Sequence, residues 1–314
     1  MSPATDRPVL WVTGAGSGIG RAVAVRAAAG GSRVVLSGRR AEALHETLSL
    51  MTASGRHLRL RGDITDPAVR RGMRDYLWRQ WGGLEVLVNN AGIITAGPLA
   101  RATDRELERL AATNIVAPLA LIREMLPLLR RAAPARIVNI GSIFGDIAYP
   151  LFAAYSGSKF ALRGASMALR RELLPYGIGV TYAAPRATRT EAAKAYDPLL
   201  EPMRIRLDDP SEVAAQIWRA VARELDSAYA RGPERLFVLI QRLIPRLIDR
   251  AIAAQMADPR LKDYLAGGHE AASARSDDAS KTEQASLVQR GARPASPKSG
   301  LHPAGAAAST TQSA

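Results

Sequence analysis

The chain has 314 residues, of which 47% are hydrophobic, and a formal net charge of +14. This length is sufficient for one large α/β domain with appendages, or for two domains. The absence of cysteine excludes disulfides, thiolate metal sites and a cysteine nucleophile. The few histidines are far apart and lack the spacing of metal ligands, so no metal site is expected.

The positive charge does not by itself indicate a nucleic-acid partner. Arginines occur as scattered pairs, such as Arg70-Arg71 and Arg130-Arg131, without interleaved aromatic residues. This pattern is typical of solvated helix faces, so we expect no nucleic-acid binding. We find no apolar run of about 18 residues and no signal peptide before the first strand. A cytoplasmic location without a transmembrane helix is therefore the default expectation.

A glycine-rich turn follows the first predicted strand. The apolar run from Val9 to Val12 predicts a buried strand, and an alanine-rich helix is predicted from Arg21 to about Ala29. Glycines between a strand and a helix allow close backbone approach to a pyrophosphate, which the helix N-terminus receives. The alternative is a plain tight turn. The candidate cofactor residues of this turn are Gly14, Ser17, Gly18, Ile19 and Gly20.

Two arginines follow the second predicted strand, which covers residues 33–37. A fold selective for NAD usually has a carboxylate here that binds the ribose 2′-hydroxyl. This chain instead has Arg39 and Arg40, with no acid before Glu42. Guanidinium groups suit a phosphate, so the pattern indicates NADP(H). Two solvated arginines at the start of a helix are the competing interpretation.

The next two predicted strands also end in candidate cofactor contacts. The third covers residues 58–62 and is followed by Asp63 and Ile64, where an adenine could be held. The fourth covers residues 84–88 and leads into Asn89-Asn90-Ala91-Gly92, whose small residues leave room for a cofactor. A long helix follows, and it contains an unexpected amide, Asn114, in an apolar stretch. The contacts expected after the fourth strand are Asn90, Ala91 and Gly92.

The strongest catalytic signal lies between Ser142 and Lys159. A fifth strand at 137–140 places Ser142 at its carboxyl end, where open α/β sheets have their sites. Tyr155 and Lys159 are four residues apart and share one face of the following helix. A fixed cation beside a phenol lowers the phenol pKa and makes acid–base catalysis efficient. The Ser142 hydroxyl can stabilise charge on the same substrate oxygen.

The choice of lysine at position 159 adds to this signal. The chain uses 38 arginines and 5 lysines, and only Lys159 and Lys194 lie in the first 225 residues. A compact ammonium can bond two ribose hydroxyls and still lie under a phenol. An ordinary helix surface is the alternative for this pentapeptide in isolation.

In this order and spacing, the motifs resemble the short-chain dehydrogenase/reductase family over roughly residues 8–225. The motifs concerned are the glycine turn, Asn89-Asn90-Ala91-Gly92, Asn114, Ser142, Tyr155 and Lys159. The resemblance implies a doubly wound Rossmann fold with a central parallel sheet, and usually a homodimer or homotetramer. It implies that Tyr155 exchanges the proton, Lys159 binds the nicotinamide ribose and lowers the Tyr155 pKa, Ser142 polarises the carbonyl, and Asn114 links backbone and water in a proton relay.

Two features depart from the family pattern. A sixth strand from Ile178 is followed by Pro185-Arg186 instead of the usual Pro-Gly, which puts a bulky cation beside the nicotinamide. Thr188 and Thr190 still lie where the family contacts the cofactor, as does Pro185. The second departure is a C-terminus without the usual short strand and glycine-rich close.

The C-terminal part is expected to add three features to the catalytic domain of residues 1–230. Residues 186–209 are predicted to form a substrate loop. Residues 233–256 combine apolar residues at helical spacing with Arg242, Arg246 and Arg250, and Pro245 must kink or split this helix. This extension, at 231–265, is expected either to lie on a membrane surface or to pack on the core or a partner subunit. Residues 266–314 are polar and of low complexity, which predicts a disordered tail.

We predict that the protein is an NADP(H)-dependent oxidoreductase that interconverts a carbonyl and a secondary alcohol. The substrate is expected to be a small molecule, and a long-chain or lipid-like carbonyl compound is one candidate. A non-catalytic NADP-binding sensor or scaffold is the alternative, although a sensor need not retain acid–base machinery. A serine hydrolase is disfavoured, because Ser142 does not lie in a Gly-x-Ser-x-Gly elbow.

Overall fold

A seven-stranded parallel sheet forms the centre of the computed structural model, which describes residues 7–230 and 232–266. The strand order is β3-β2-β1-β4-β5-β6-β7, so the chain winds outward from β1 in both directions. This confirms the predicted doubly wound Rossmann fold. The strands are β1 Val9–Thr13, β2 Arg33–Gly38, β3 Leu58–Arg61, β4 Val86–Asn89, β5 Ala135–Ile140, β6 Ile178–Ala184 and β7 Ser227–Tyr229.

Helices cover both faces of the sheet. The first eight are α1 Gly18–Ala29, α2 Ala41–Ser49, α3 Pro67–Trp81, α4 Asp104–Ala111, α5 Ala117–Arg131, α6 Ala153–Leu173, α7 Asp197–Leu200 and α8 Pro210–Ala222. The C-terminal helices are α9 Glu234–Leu243, α10 Pro245–Met256 and α11 Pro259–Ala266. A π-helical turn, Ala112–Val116, joins α4 to α5.

Alternate residues of β1 supply the two halves of the core. Leu10 and Val12 pack with α1, α2 and α8 on one face of the sheet, whereas Val9 and Trp11 pack with α3, α5 and α6 on the other. All four side chains are buried. Burial on both faces explains why the strand is a continuous apolar run instead of an alternating one.

The seventh strand corrects the expectation that the chain lacks the family's last short strand. Ser227–Tyr229 pairs in parallel with β6, with Ala228 opposite Ala183. Three residues are too few for a periodic pattern, so this strand is specified by its pairing with β6.

One helical stretch, from Asp104 to Arg131, has the length and apolar composition of a membrane span among the residues that the structure describes. In this structure, however, Leu121, Met125 and Leu128 of that stretch are fully buried against the sheet. The core of the domain therefore accounts for its apolar character.

The C-terminal helices pack against the catalytic part of the chain. Leu261 of α11 is fully buried in a cluster that includes Phe152, Tyr155 and Tyr196, with Met256 of α10 packed against it. The described residues up to Ala266 belong to one compact unit. As Pro245 suggested, the amphipathic segment is split there into α9 and α10. The tail predicted to be disordered lies, from residue 267 onward, outside the described residues.

Candidate active site

A cleft of about 750 Å³ lies beyond the carboxyl ends of the strands. Two predicted site residues are not on its wall: Gly20 lies beneath the glycine turn, and Asn114 lies behind Gly92 and Ile93. The other predicted residues all line it: Gly14, Ser17, Gly18, Ile19, Arg39, Arg40, Asp63, Ile64, Asn90, Ala91, Gly92, Ser142, Tyr155, Lys159, Pro185, Thr188 and Thr190.

The glycine turn is closed by contacts that only glycine permits. Gly18 has φ +52°, and a Cβ there would lie 2.6 Å from Cγ2 of Thr190. A Cβ on Gly20 would overlap Nδ2 of Asn90, which donates to the Thr13 carbonyl at 2.9 Å. In the described structure the first turn of α1 has neither an acidic residue nor a side-chain cap. Its free N–H groups and close backbone approach fit the pyrophosphate of a dinucleotide.

The expectation that both arginines after β2 lack a competing carboxylate is wrong. Glu191 accepts two hydrogen bonds from Arg40, from Nη1 at 2.9 Å and from Nη2 at 2.5 Å. The sequence gives no sign of this pair, because 151 residues separate the partners. Arg39 is more available: its side chain is 62% exposed and its Nη1 lies 3.9 Å from Oδ2 of Asp63. If the cofactor carries a 2′-phosphate, Arg39 would therefore be its main partner among these two arginines.

Tyr155, Ser142 and Lys159 come together where β5 and α6 meet. Tyr155 and Ser142 both line the cleft, and Ser142 Oγ accepts from the backbone N–H of Phe144 at 3.2 Å. Lys159 Nζ donates to the Ile140 carbonyl at 3.0 Å and lies 5.6 Å from the centre of the Tyr155 ring. A phenol, a hydroxyl and an ammonium thus face one cleft.

Burial is the largest influence on the pKa values of Tyr155 and Lys159. Burial raises the pKa of Tyr155 above its ordinary value, although the neighbouring Ser142 hydroxyl acts in the opposite direction. Burial also lowers the pKa of Lys159 to about 8. The expected net lowering of the phenol pKa is therefore not found in this structure, because the effect of burial is the largest one. Tyr155 is protonated at neutral pH and suited to donate a proton.

Asn114 lies in the π-helical turn between α4 and α5 and is buried. Its Oδ1 accepts from the Ile93 N–H at 2.9 Å, and its Nδ2 donates to the Ile93 carbonyl at 2.9 Å and to Ser158 Oγ at 3.0 Å. The extra residue of a π turn redirects side chains and is frequent at functional sites. Asn114 thereby fixes the loop after β4 against α6, next to Lys159.

Tyr182 is a site residue that the sequence analysis missed. Its hydroxyl donates to the Ser142 carbonyl at 3.1 Å and accepts from the Ser142 N–H at 3.3 Å. A Cβ on Gly141 or Gly145 would overlap its ring or hydroxyl. The available signal was a large phenol in a buried strand followed by small residues. Tyr182 holds the backbone of Ser142 in place.

Arg186 is fixed by two carboxylates that the sequence analysis did not identify. It donates to Asp208 from Nη2 at 2.6 Å and from Nε at 3.0 Å, and to Glu234 Oε1 from Nη1 at 2.7 Å. The hydrogen bonds that Arg186 donates to Asp208 and to Glu234 raise the pKa of Arg186. The cation thus lines the cleft, but its charge is compensated by the loop and by α9.

Comparison with known proteins identifies the class. Residues 8–199 match the family model described as short chain dehydrogenase. The chain is 30% identical over 267 residues to dehydrogenase/reductase SDR family member 7B of Bos taurus, covering 80% of this chain and 82% of that protein. It is also 32% identical over 187 residues to the 3-oxoacyl-[acyl-carrier-protein] reductase FabG of Escherichia coli K12, covering 60% of this chain and 76% of that protein.

Solved structures agree on the fold. A short-chain dehydrogenase from Streptomyces avermitilis is 30% identical, with a TM-score of 0.68 and coverage of 81% of this chain and 100% of the other. A short-chain dehydrogenase/reductase from Burkholderia phymatum in complex with NAD has a TM-score of 0.70 and is 24% identical, with coverage of 77% of this chain and 95% of the other. At this identity the likeness supports the fold alone. The protein described here belongs to the short-chain dehydrogenase/reductase family, whose members are oxidoreductases that use a nicotinamide cofactor.

Proposed function

We propose that the protein is an NADPH-dependent reductase of carbonyl compounds, with Tyr155 as the proton donor. The observation that carries the proposal is that Tyr155, Ser142 and Lys159 line the same cleft, with Lys159 Nζ 5.6 Å from the centre of the Tyr155 ring. When bound, the nicotinamide cofactor would supply the hydride for the carbonyl carbon of the substrate. Tyr155 gives its proton to the carbonyl oxygen, so the product is an alcohol and the phenol is left as a phenolate.

The neighbouring residues of the site support this step in different ways. Ser142 donates a hydrogen bond to the carbonyl oxygen as negative charge develops there. Lys159 holds ribose hydroxyls and compensates the phenolate, which is reprotonated from solvent. Asn114 keeps the backbone of Ile93 and the adjacent turn of α6 in register with Lys159.

The preference for NADP(H) over NAD(H) rests on Arg39. A guanidinium that is largely exposed at the end of β2 can bind a 2′-phosphate, and the carboxylate that would favour a ribose 2′-hydroxyl is not present on β2 or directly after it.

The proposed substrate is a long-chain or lipid-like carbonyl compound. The part of the cleft near Tyr155 is lined by Ile93, Ile94, Phe144, Tyr196 and Ile205. Such a wall suits an apolar chain and offers few partners for a polar one. The similarity to a 3-oxoacyl-[acyl-carrier-protein] reductase supports the same class of substrate.

We also propose a homodimer or homotetramer, since family members are typically oligomeric. Val116, Phe160 and Met167 are exposed apolar residues around α5 and α6 and are suited to such an interface.

The proposed function is tested with a panel of ketones and aldehydes of graded chain length, each assayed with NADPH and NADH. We expect NADPH oxidation, with kcat/KM rising with chain length. If NADPH binds but no carbonyl in the panel is reduced, the protein is a cofactor-binding sensor and the proposal is wrong.

A further inference from the structure

The polarity of α9 is reversed relative to an ordinary surface helix. The side that faces the protein carries Glu234, which pairs with Arg186, and Val238, and both residues are buried. The guanidinium of Arg242 also turns back, to the fully buried carboxylate of Asp146 at 3.3 Å. The outer side carries an apolar stripe, formed by Leu236, Leu239 and Leu243, whose exposures are 55%, 51% and 70%.

This apolar stripe continues across the junction into α10. Ile244 and Leu247 are 59% and 51% exposed, and no residue of α10 is buried within the described structure. The exposed cations Arg246 and Arg250 lie on α10, with Asp249 between them in sequence. The surface is therefore apolar in its centre and mainly basic at its edge.

A water-facing helix normally directs its apolar side toward the core, because burial of apolar side chains is favourable. A contiguous apolar surface of this kind marks an interaction site. We propose that the apolar stripe of α9, with Ile244 and Leu247, docks the enzyme onto an anionic lipid bilayer. The leucines enter the interface, and Arg246 and Arg250 lie against the headgroups.

Charge decides between a lipid surface and a second copy of the chain. In a two-fold symmetric dimer both copies would contribute this patch, so the arginines of both α10 helices would lie at the rim of one interface. Like charges repel there, whereas anionic headgroups attract them. The net charge of +14 acts in the same direction for the whole chain.

The docking surface is also connected to the cleft. The first residue of α9, Glu234, bonds Arg186 of the cleft wall at 2.7 Å, and Met256 of α10 packs against the cluster that contains Tyr155. The reverse side of the same helices thus forms part of the catalytic region. A lipid-bound enzyme would hold its cleft close to the source of an apolar substrate.

The test is flotation of the full chain with vesicles of phosphatidylcholine, with or without phosphatidylglycerol, at low and high salt. We expect binding only to the anionic vesicles, with loss at high salt, since screening weakens the contribution of the arginines. The double variant Leu239→Ser, Leu243→Ser should lower the partition coefficient on the order of tenfold or more. Arg246→Glu with Arg250→Glu should lower it similarly.

Matched controls lie elsewhere on the surface. Leu50→Ser with Leu174→Ser removes two leucines that are 58% and 73% exposed, and Arg71→Glu with Arg79→Glu repeats the charge change on α3. Both controls should bind vesicles like the unmodified chain. All four variants should reduce a short, water-soluble carbonyl at the normal rate, or, if no carbonyl is turned over, bind NADPH normally. This separates failure of the docking proposal from failure of the proposed activity.

Three outcomes would overturn the proposal. One is that the unmodified chain does not float with anionic vesicles at low salt. Another is that the stripe variants and the controls bind equally. The third is that the stripe variant loses self-association in sedimentation velocity while vesicle binding is unchanged, which would assign the surface to a second copy.

Discussion

Nη1 of Arg186 lies 2.7 Å from Oε1 of Glu234, so a side chain of the cleft wall is bonded directly to the first turn of α9. The same guanidinium holds Asp208 at 2.6 Å, at the end of the predicted substrate loop. Loop, cleft and C-terminal helices are therefore coupled through one cation. At this position the family often has a glycine, which could not make this connection.

Replacement of Arg186 by alanine should destabilise the protein and weaken substrate binding. Two carboxylates would lose their partner, and the Glu234 side chain is only 10% exposed. We expect unfolding to be easier by about 1–3 kcal/mol, a value reduced because a third of the Arg186 side chain is exposed. Urea denaturation and KM measure the two effects. Arg189→Ala, an exposed neighbour in the same loop, is the control, and equal behaviour of the two variants would contradict the coupling.

Tyr182→Phe should lower kcat more than it raises the KM for either substrate. The ring still fills the space under Gly141, but the hydroxyl that bonds both backbone groups of Ser142 is lost. We expect a decrease in kcat of about tenfold, the scale for a small displacement of a catalytic group. Tyr176→Phe, on the protein surface, should have no effect. A Tyr182→Phe enzyme with normal kcat would show that Ser142 needs no such support.

The cofactor preference should depend on Arg39 more than on Arg40. We expect the unmodified protein to prefer NADPH over NADH by about 1–3 kcal/mol, the scale of charge-assisted hydrogen bonds. Arg39→Ala should make this preference smaller. Arg39→Asp should invert it. Arg40→Ala should have the smaller effect, because Glu191 already holds that guanidinium. Fluorescence titration with both cofactors measures the affinities, and equal affinities in the unmodified protein would exclude the assignment.

Cofactor affinity should fall as the pH rises through the pKa of Lys159, which burial lowers to about 8. The ammonium is present below that pH and lost above it, so NADPH should bind more weakly at about pH 9 than at about pH 7, by up to about tenfold. Lys159→Met should bind weakly at both values. A pH-independent affinity in the unmodified protein would show that the lysine does not hold the cofactor through its charge.

The same lowered pKa affects stability with a definite sign. Between about pH 8 and the ordinary lysine value of 10.5, the folded protein binds fewer protons at Lys159 than the unfolded chain. The contribution of this group to stability therefore increases as the pH rises through that window. Comparison of urea midpoints of the unmodified chain and Lys159→Met across this range measures the contribution.

The sequence predicted those features that depend on local patterns. Short apolar runs located six strands, and the glycine turn and the Ser142, Tyr155 and Lys159 spacing placed the cleft at their carboxyl ends. These predictions succeed because parallel strands bring their ends to one edge, whatever the details of packing.

The features that were missed depend on contacts between distant residues. Glu191 reaches Arg40 across 151 positions, and Glu234 reaches Arg186 across 48. Neither pair produces a periodic pattern in the sequence. The strand β7, with three residues, is also too short to produce one. The burial that raises the pKa of Tyr155 could not be anticipated either, because spacing gives the neighbours of a group but not its solvent exposure.

The assignment of Tyr155 as the proton donor is tested most directly by Tyr155→Phe, with Tyr196→Phe in the same cleft as the control. We expect Tyr155→Phe to lower turnover of NADPH with a carbonyl substrate by on the order of 10²–10⁴, the usual contribution of a general acid. Its affinity for NADPH should stay unchanged, and Tyr196→Phe should keep most of the turnover. Turnover by Tyr155→Phe at the rate of the unmodified enzyme would contradict the proposed mechanism.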